Sequence, residues 1–97
     1  MKTDLTDPRA VYNALQSLAS ELETRRFAVR LRTTKGRAPH LIVINPEAPV
    51  LTENVLVAPD SEGAWSYWFP WPERIALVTD VGYAADRIEN VLAEVGR

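Results

Sequence analysis

The sequence predicts an α+β fold, a two-layer sandwich in which an N-terminal and a C-terminal helix pack on one face of a four- to five-stranded antiparallel meander. Three observations lead to it. Apolar residues recur at helical spacing near both ends of the 97-residue chain, they alternate at strand spacing in between, and the links between strands are short. The predicted order is α-β-β-β-β-(β)-α, in a single domain over residues 1–97.

The first helix begins at a clear start signal. Asp7 is a suitable N-cap, and Pro8 fits the first helical position. Apolar residues then recur at intervals that place them on one stripe of a helix, which extends to about Arg25. The residues of this stripe are Val11, Leu15, Leu18 and Leu22.

A hairpin follows this helix. Apolar side chains alternate with small or basic ones over residues 27–32, and the sequence TKG at 34–36 supplies a turn. The next strand, from His40 to Ile44, is apolar on both faces. Because such a pattern is typical of strands covered on both sides, we expect this strand to be central in the sheet.

Three further strands complete the meander. A nine-residue connection over 45–53 leads to a third strand at 55–57, and the turn sequence PDSEG leads to a fourth over 64–69. The PWP segment, residues 70–72, ends this strand, because its two prolines have no backbone N–H to donate to a neighbouring strand. A short fifth strand is predicted over 74–78.

A second helix follows near the end of the chain. Asp80 can cap a helix that runs from Val81 to about Val95, and Gly96 lies where a helix C-terminus favours glycine. Its predicted buried side consists of Ala84, Ala85, Ile88, Val91, Leu92 and Val95.

Charge is distributed unevenly along the chain. Residues 1–23 carry a net charge of −2, residues 24–46 carry +6 without any acidic residue, and residues 47–97 carry −6. The overall charge of −2 therefore conceals a basic block on the first hairpin. Because association depends on local potential, this block is more informative than the total.

The predicted fold leaves one face of the sheet uncovered by helices, which antiparallel sheets tolerate. If Phe27, Val29 and Leu31 point to the helices, Arg30 and Arg32 point to this open face. On the second strand, either Ile42 and Ile44 or Leu41 and Val43 join them.

Aromatic residues are also concentrated, since five of the eight lie within residues 65–71. Strand four directs either Trp65, Tyr67 and Phe69 or Trp68 to the open face, and the sequence leaves both possibilities open. Trp and Arg are enriched at the energetic centres of interfaces. The candidate protein-binding residues are the anchors Trp65, Tyr67, Trp68 and Trp71 and the steering residues Arg30 and Arg32.

Composition excludes several kinds of chemistry. The chain has no cysteine, so disulfides, thiol nucleophiles and cysteine-built metal sites are excluded. His40 is the only histidine, and the sequence has neither metal-ligand spacing nor a nucleophile elbow nor a phosphate-binding glycine loop. We therefore expect no catalytic residue, no metal and no cofactor.

Residues 65–75, WSYWFPWPERI, and residues 80–92, DVGYAADRIENVL, resemble a class of small single-domain proteins from high-GC actinobacteria. The resemblance covers the C-terminal third and implies no activity and no catalytic residue. The order of a helix followed by a meander is also similar to that of secretion-chaperone folds, which are dimeric protein-binding modules; this likeness is an analogy of fold alone.

The preferred hypothesis is a non-catalytic protein-interaction module, adaptor or chaperone-like, that binds a protein partner or itself as a homodimer. We expect it to be cytoplasmic, because the N-terminal residues lack a signal-peptide pattern and no apolar run is long enough to span a bilayer. Single-stranded nucleic-acid binding on the sheet and a small-ligand pocket lined by the aromatic residues are the alternatives.

Overall fold

The computed structural model describes residues 8–33, 36 and 38–93. The elements are α1 (Pro8–Thr24), β1 (Ala28–Arg32), β2 (His40–Ile44), β3 (Thr52–Pro59), β4 (Trp65–Trp68), β5 (Arg74–Leu77) and α2 (Val81–Leu92). All neighbouring strands are antiparallel, and the sheet order is β1-β2-β3-β4-β5. The predicted α+β sandwich is confirmed.

Several details differ from the sequence-based expectations. The third strand is longer than predicted and covers eight residues. In the order of the sheet the middle strand is β3, whereas β2 lies next to the edge strand β1. β2 was expected to be central because both its faces are apolar, but one of these faces is open. The predicted N-cap Asp7, most of the TKG turn and the predicted C-terminal residues Val95 and Gly96 lie outside the described residues.

The core lies between the two helices and one face of the sheet. Val29 and Leu31 of β1 pack against it and are partly buried. The buried apolar residues are Leu15, Leu18, Ala19, Leu22, Leu41, Val43, Val55, Tyr67, Phe69, Ile75, Ala76, Ala84, Ala85, Ile88 and Leu92.

Helix α2 departs from its prediction at two residues. Asp80 is the N-cap residue, but its side chain makes no capping hydrogen bond. Val91 is exposed rather than buried, because at about 100° per residue it lies just outside the arc between Ala84 and Ala85.

Tyr67 links strand β4 to the first helix. Its side chain is completely buried, and its hydroxyl donates a hydrogen bond of 2.7 Å to the carbonyl oxygen of Ala14. Burial raises the pKa of the Tyr67 hydroxyl to about 12. This residue therefore fixes which side of β4 faces the helices.

Arg25 joins the end of α1 to α2. Its guanidinium forms ion pairs with Glu21 of its own helix at 3.0 Å and with Asp86 and Glu89 of α2 at 2.5 and 3.2 Å. It also lies within hydrogen-bond distance of the carbonyl oxygen of Gly82. Four acceptors from two helices thus hold one cation at the helix–helix seam.

Helix α1 ends in a Schellman turn that aims the chain into β1. Arg26 has a φ of 72°, its N–H donates to the carbonyl of Glu23, and the N–H of Phe27 donates to the carbonyl of Leu22. These two bonds define the motif, in which glycine is the favoured residue at the left-handed position.

Replacing Arg26 by glycine should stabilise the protein. The left-handed conformation is strained for residues with a Cβ atom, so Arg26→Gly should raise the free energy of unfolding by roughly 0.5–1 kcal/mol. Chemical denaturation measures the change. Arg26→Ala, which keeps the Cβ, is the control and should bring no such gain; a gain of equal size would show that loss of the arginine charge is responsible.

Tyr67→Phe should change both the stability and its pH dependence. At neutral pH, loss of the hydrogen bond to Ala14 should cost about 1 kcal/mol. An unfolded tyrosine ionises near pH 10, whereas the pKa of buried Tyr67 is raised to about 12. The protonated Tyr67 hydroxyl therefore makes its full contribution to the free energy of unfolding below about pH 10, and this contribution is lost as the pH rises through 12.

Denaturation curves at increasing pH test the second part. The wild type should lose roughly 2–3 kcal/mol more than Tyr67→Phe between about pH 10 and 12, since one pKa unit corresponds to about 1.4 kcal/mol. Parallel curves for the two proteins over this range would contradict the burial of the Tyr67 hydroxyl.

Candidate functional site

Side-chain alternation gives the sheet a second face, opposite the helices. Tyr67, Val55, Leu41 and Val43 point into the core, so the residues between them point the other way. We call this surface the open face. Its residues are Ala28, Arg30, Arg32, His40, Ile42, Ile44, Thr52, Asn54, Leu56, Ala58, Ser66, Trp68, Arg74 and Leu77.

The open face has an apolar middle. Leu56 of β3 lies directly opposite Trp68 of β4, and Ile42 of β2 lies opposite Arg30 of β1. Leu56 also lines a depression of about 240 Å³ whose other lining residues are His40, Asn54 and Pro70. Half-buried aliphatic side chains and one indole thus form the centre of the surface.

Trp68 is held on this surface by its indole N–H, which donates a hydrogen bond of 3.0 Å to the carbonyl oxygen of Ala58 on the neighbouring strand. The polar atom of the ring is therefore satisfied within the protein. What the ring still offers a partner is apolar area, held at little further entropic cost.

Basic side chains flank the apolar middle on the side of β1. Arg30 and Arg32 are exposed and form no hydrogen bond or ion pair with any residue that the structure describes. Arg32 lies opposite His40 and Arg30 opposite Ile42. Two unneutralised guanidinium groups therefore stand on neighbouring positions of one face, as the sequence predicts.

On the opposite side of the face, Arg74 is already neutralised. Its Nε donates to the hydroxyl of Ser66 at 3.0 Å and lies 3.5 Å from a carboxylate oxygen of Asp60. Hydrogen bonds from the backbone N–H groups of Ala64 and Glu62 lower the pKa of Asp60, and the charge of Arg74 acts in the same direction. The unpaired positive charge is thus confined to the β1 side.

The structure separates the predicted anchor residues. Trp68 lies on the open face with Arg30 and Arg32, whereas Trp65 and Tyr67 point to the helix side. Tyr67 is completely buried, so its assignment as a binding anchor is wrong. Its ring fills the core and its hydroxyl is bonded to α1, which leaves nothing for a partner.

Trp71 lies beyond the sheet, in the PWP segment. Its ring stacks on that of Phe69 with centroids 4.6 Å apart and an angle of 11° between the planes, and its N–H donates to Glu73 at 2.9 Å. It remains 42% exposed. Trp71 therefore offers a partner an edge of a ring that is already packed and hydrogen-bonded.

Several residues of the open face are not among the binding residues that the sequence predicts. Leu56, Asn54, His40 and Arg74 join it only because the register places them beside Trp68 and Ile42. For Leu56 and Asn54 the signal is the period-two alternation of β3, which extends over eight residues.

A second depression, of about 490 Å³, lies beside the turn that connects α1 to β1. Its lining includes two arginines and two glutamates, of which Arg25 and Glu89 are paired with each other. The lining residues are Arg25, Arg26, Phe27, Asn45, Pro46, Glu47, Glu89 and Ala93. The aromatic cluster contributes none of them, so this depression is not the aromatic-lined pocket that was considered as an alternative.

Within the described ranges, no three His, Cys, Asp or Glu side chains cluster in a way that could hold a metal ion. Neither helix in the described part of the chain is long and apolar enough to cross a membrane. Comparison with protein families, with curated proteins and with solved structures finds no match for this chain. Function must therefore be argued from the site itself.

A pair of neighbouring substitutions tests whether the open face is uncovered. Val43 is completely buried, and adjacent Ile42 is half-buried on the open face. Val43→Thr buries a hydroxyl and should cost about 1–3 kcal/mol of unfolding free energy. Ile42→Thr should cost about 1 kcal/mol or less, because its hydroxyl can reach water. Equal losses in urea denaturation would indicate that both faces are covered.

Proposed function

We propose that this protein is a non-catalytic interaction module that binds an acidic surface of a protein partner through its open face. One observation carries the proposal: the apolar centre formed by Ile42, Leu56 and Trp68 shares one face with the unpaired Arg30 and Arg32, Ile42 lies directly opposite Arg30, and none of the alternating residues of this face is acidic. An apolar centre with charges at its border is the anatomy of protein interfaces.

The composition of the face favours a protein over a single-stranded nucleic acid. Sheets that bind single strands stack successive bases on several aromatic rings. Here the open face carries one large aromatic ring, that of Trp68, and the single imidazole of His40, since Trp65 and Tyr67 point to the helices. The remaining apolar side chains of the face, such as Ile42 and Leu56, are aliphatic, and these fit protein side chains better than bases.

The charge of the face favours a different protein over a second copy of the chain. A symmetric face-to-face dimer would bring two arginine-bearing surfaces together, and Arg30 and Arg32 would meet no unpaired carboxylate on the copy's open face. Juxtaposed like charges oppose association. An acidic partner neutralises both arginines and covers the same apolar area.

Affinity capture with quantitative mass spectrometry tests the proposal. The bait variant Arg30→Ser/Leu56→Ser removes one unpaired charge and one apolar side chain from the open face. We expect proteins captured by the wild type to fall by about tenfold or more with this variant, because truncation of centrally placed interface residues typically costs 1 kcal/mol or more each.

The matched control is Arg26→Ser/Tyr83→Ser, which removes one exposed arginine and one exposed apolar side chain away from the open face. This variant should capture the same proteins as the wild type. Capture that both variants reduce equally, or capture that neither reduces, would contradict the proposal. So would tight, salt-sensitive binding of single-stranded oligonucleotides that depends on Arg30, since it would assign the face to nucleic acid.

A further inference from the structure

The two edges of the sheet differ in how their backbone groups are used. At the β5 edge, the guanidinium of Arg87 on α2 donates to the carbonyl oxygens of Arg74 at 2.9 Å and Ile75 at 3.1 Å. A 2.7 Å ion pair with Glu73 holds the same guanidinium in place. The β5 edge is therefore occupied by a side chain of the protein itself.

At the β1 edge, none of the described residues provides such cover. β1 pairs with β2 on one side only, and no described residue bonds to the backbone of its other side. An uncovered edge strand presents unpaired N–H and C=O groups that can bind an added strand.

The ladder identifies which groups are unpaired. The N–H of Asn45 donates to the carbonyl of Leu51 at 3.1 Å, so odd-numbered residues of β2 bond towards β3 and even-numbered ones towards β1. Through the β1–β2 register, the residues of β1 that bond to β2 are Ala28, Arg30 and Arg32. The N–H and C=O groups of Val29 and Leu31 therefore point to the uncovered edge.

We propose that an extended acidic segment of the partner adds to this edge as a sixth antiparallel strand. Its backbone would bond to Val29 and Leu31. Its side chains opposite Arg30 and Arg32 would lie two residues apart on the open face, at the close, non-hydrogen-bonded positions where opposite charges interact best. The segment recognised therefore alternates acidic residues with apolar ones, which face Val29 and Leu31. The inference rests on the proposed function and specifies the partner.

A second copy of the chain fits this edge poorly. The antiparallel register that uses the unpaired groups of Val29 and Leu31 in both copies places Arg30 directly opposite Arg30 of the copy. Two guanidinium groups at such a pair position repel each other. The same charges that oppose self-pairing attract an acidic strand.

Titration with a short peptide in which glutamate alternates with valine tests the inference. Three matched peptides keep the experiment specific: one N-methylated on its valine amides, one N-methylated on its glutamate amides, and one with lysine in place of glutamate. In the proposed register the valine amides bond to β1 and the glutamate amides point away. Methylation of the valine amides should weaken binding by about tenfold or more, and methylation of the glutamate amides should leave it nearly unchanged.

Two protein variants test the charge requirement. Arg30→Glu/Arg32→Glu should lose the glutamate peptide and gain the lysine peptide, by about tenfold in each direction. Arg26→Glu changes an exposed arginine in the turn before β1, outside the proposed strand pairing, and should still bind the glutamate peptide. Amide hydrogen exchange provides an independent measurement, because the N–H groups of Val29 and Leu31 should exchange about tenfold more slowly when the peptide is bound.

Failure of the inference is distinguishable from failure of the proposed function. Equal binding of the two N-methylated peptides, or absence of peptide binding, overturns the sixth strand but leaves capture through the open face intact. Edge binding combined with protein capture that ignores Arg30→Ser/Leu56→Ser overturns the proposed function and leaves the sixth strand standing.

Discussion

The direction of the Tyr67 side chain is the constraint on which the rest of the structure depends. Its hydroxyl bonds to Ala14 of α1, so this ring must lie on the helix side of the sheet. Because side chains alternate along a strand, Trp68 must then lie on the other side, and the antiparallel register carries the same division into β3, β2 and β1. A slip of one residue would bury Trp68 and expose the core. The composition of both faces thus follows from one buried phenol.

The fold pairs some of the arginines with acidic residues and leaves others unpaired. The acidic residues that pair with arginine collect at the helix seam around Arg25 and near β5 around Arg87 and Arg74. Arg30 and Arg32 have no such neighbour among the described residues. Within the described part of the basic block, Arg25 is neutralised at the helix seam, whereas Arg30 and Arg32 on β1 are not. Electrostatic potential at the open face is set by this division rather than by the net charge.

Local patterns were sufficient to predict the element order, since helical and strand periods, prolines and turn residues are all short-range signals. They also predicted that Arg30 and Arg32 lie on the open face. Local patterns do not predict the direction of Tyr67. Residues 65–69 are apolar or aromatic at nearly every position, so a large ring is buried whichever side of β4 faces the helices. The contact that decides between the two sides joins residues 53 positions apart. The contribution of Leu56 and Asn54 likewise required the register, which is a tertiary property.

The hydrogen bonds of Arg87 to β5 also restrict the direction in which the sheet can be extended. A sheet with two available edges can be extended on both sides, whereas a sheet whose carbonyls are occupied at one edge can be extended only from the other. The carbonyls of Arg74 and Ile75 are occupied from within the chain. Any strand that adds to this sheet would therefore lie beside β1, so the sheet has a single direction of growth.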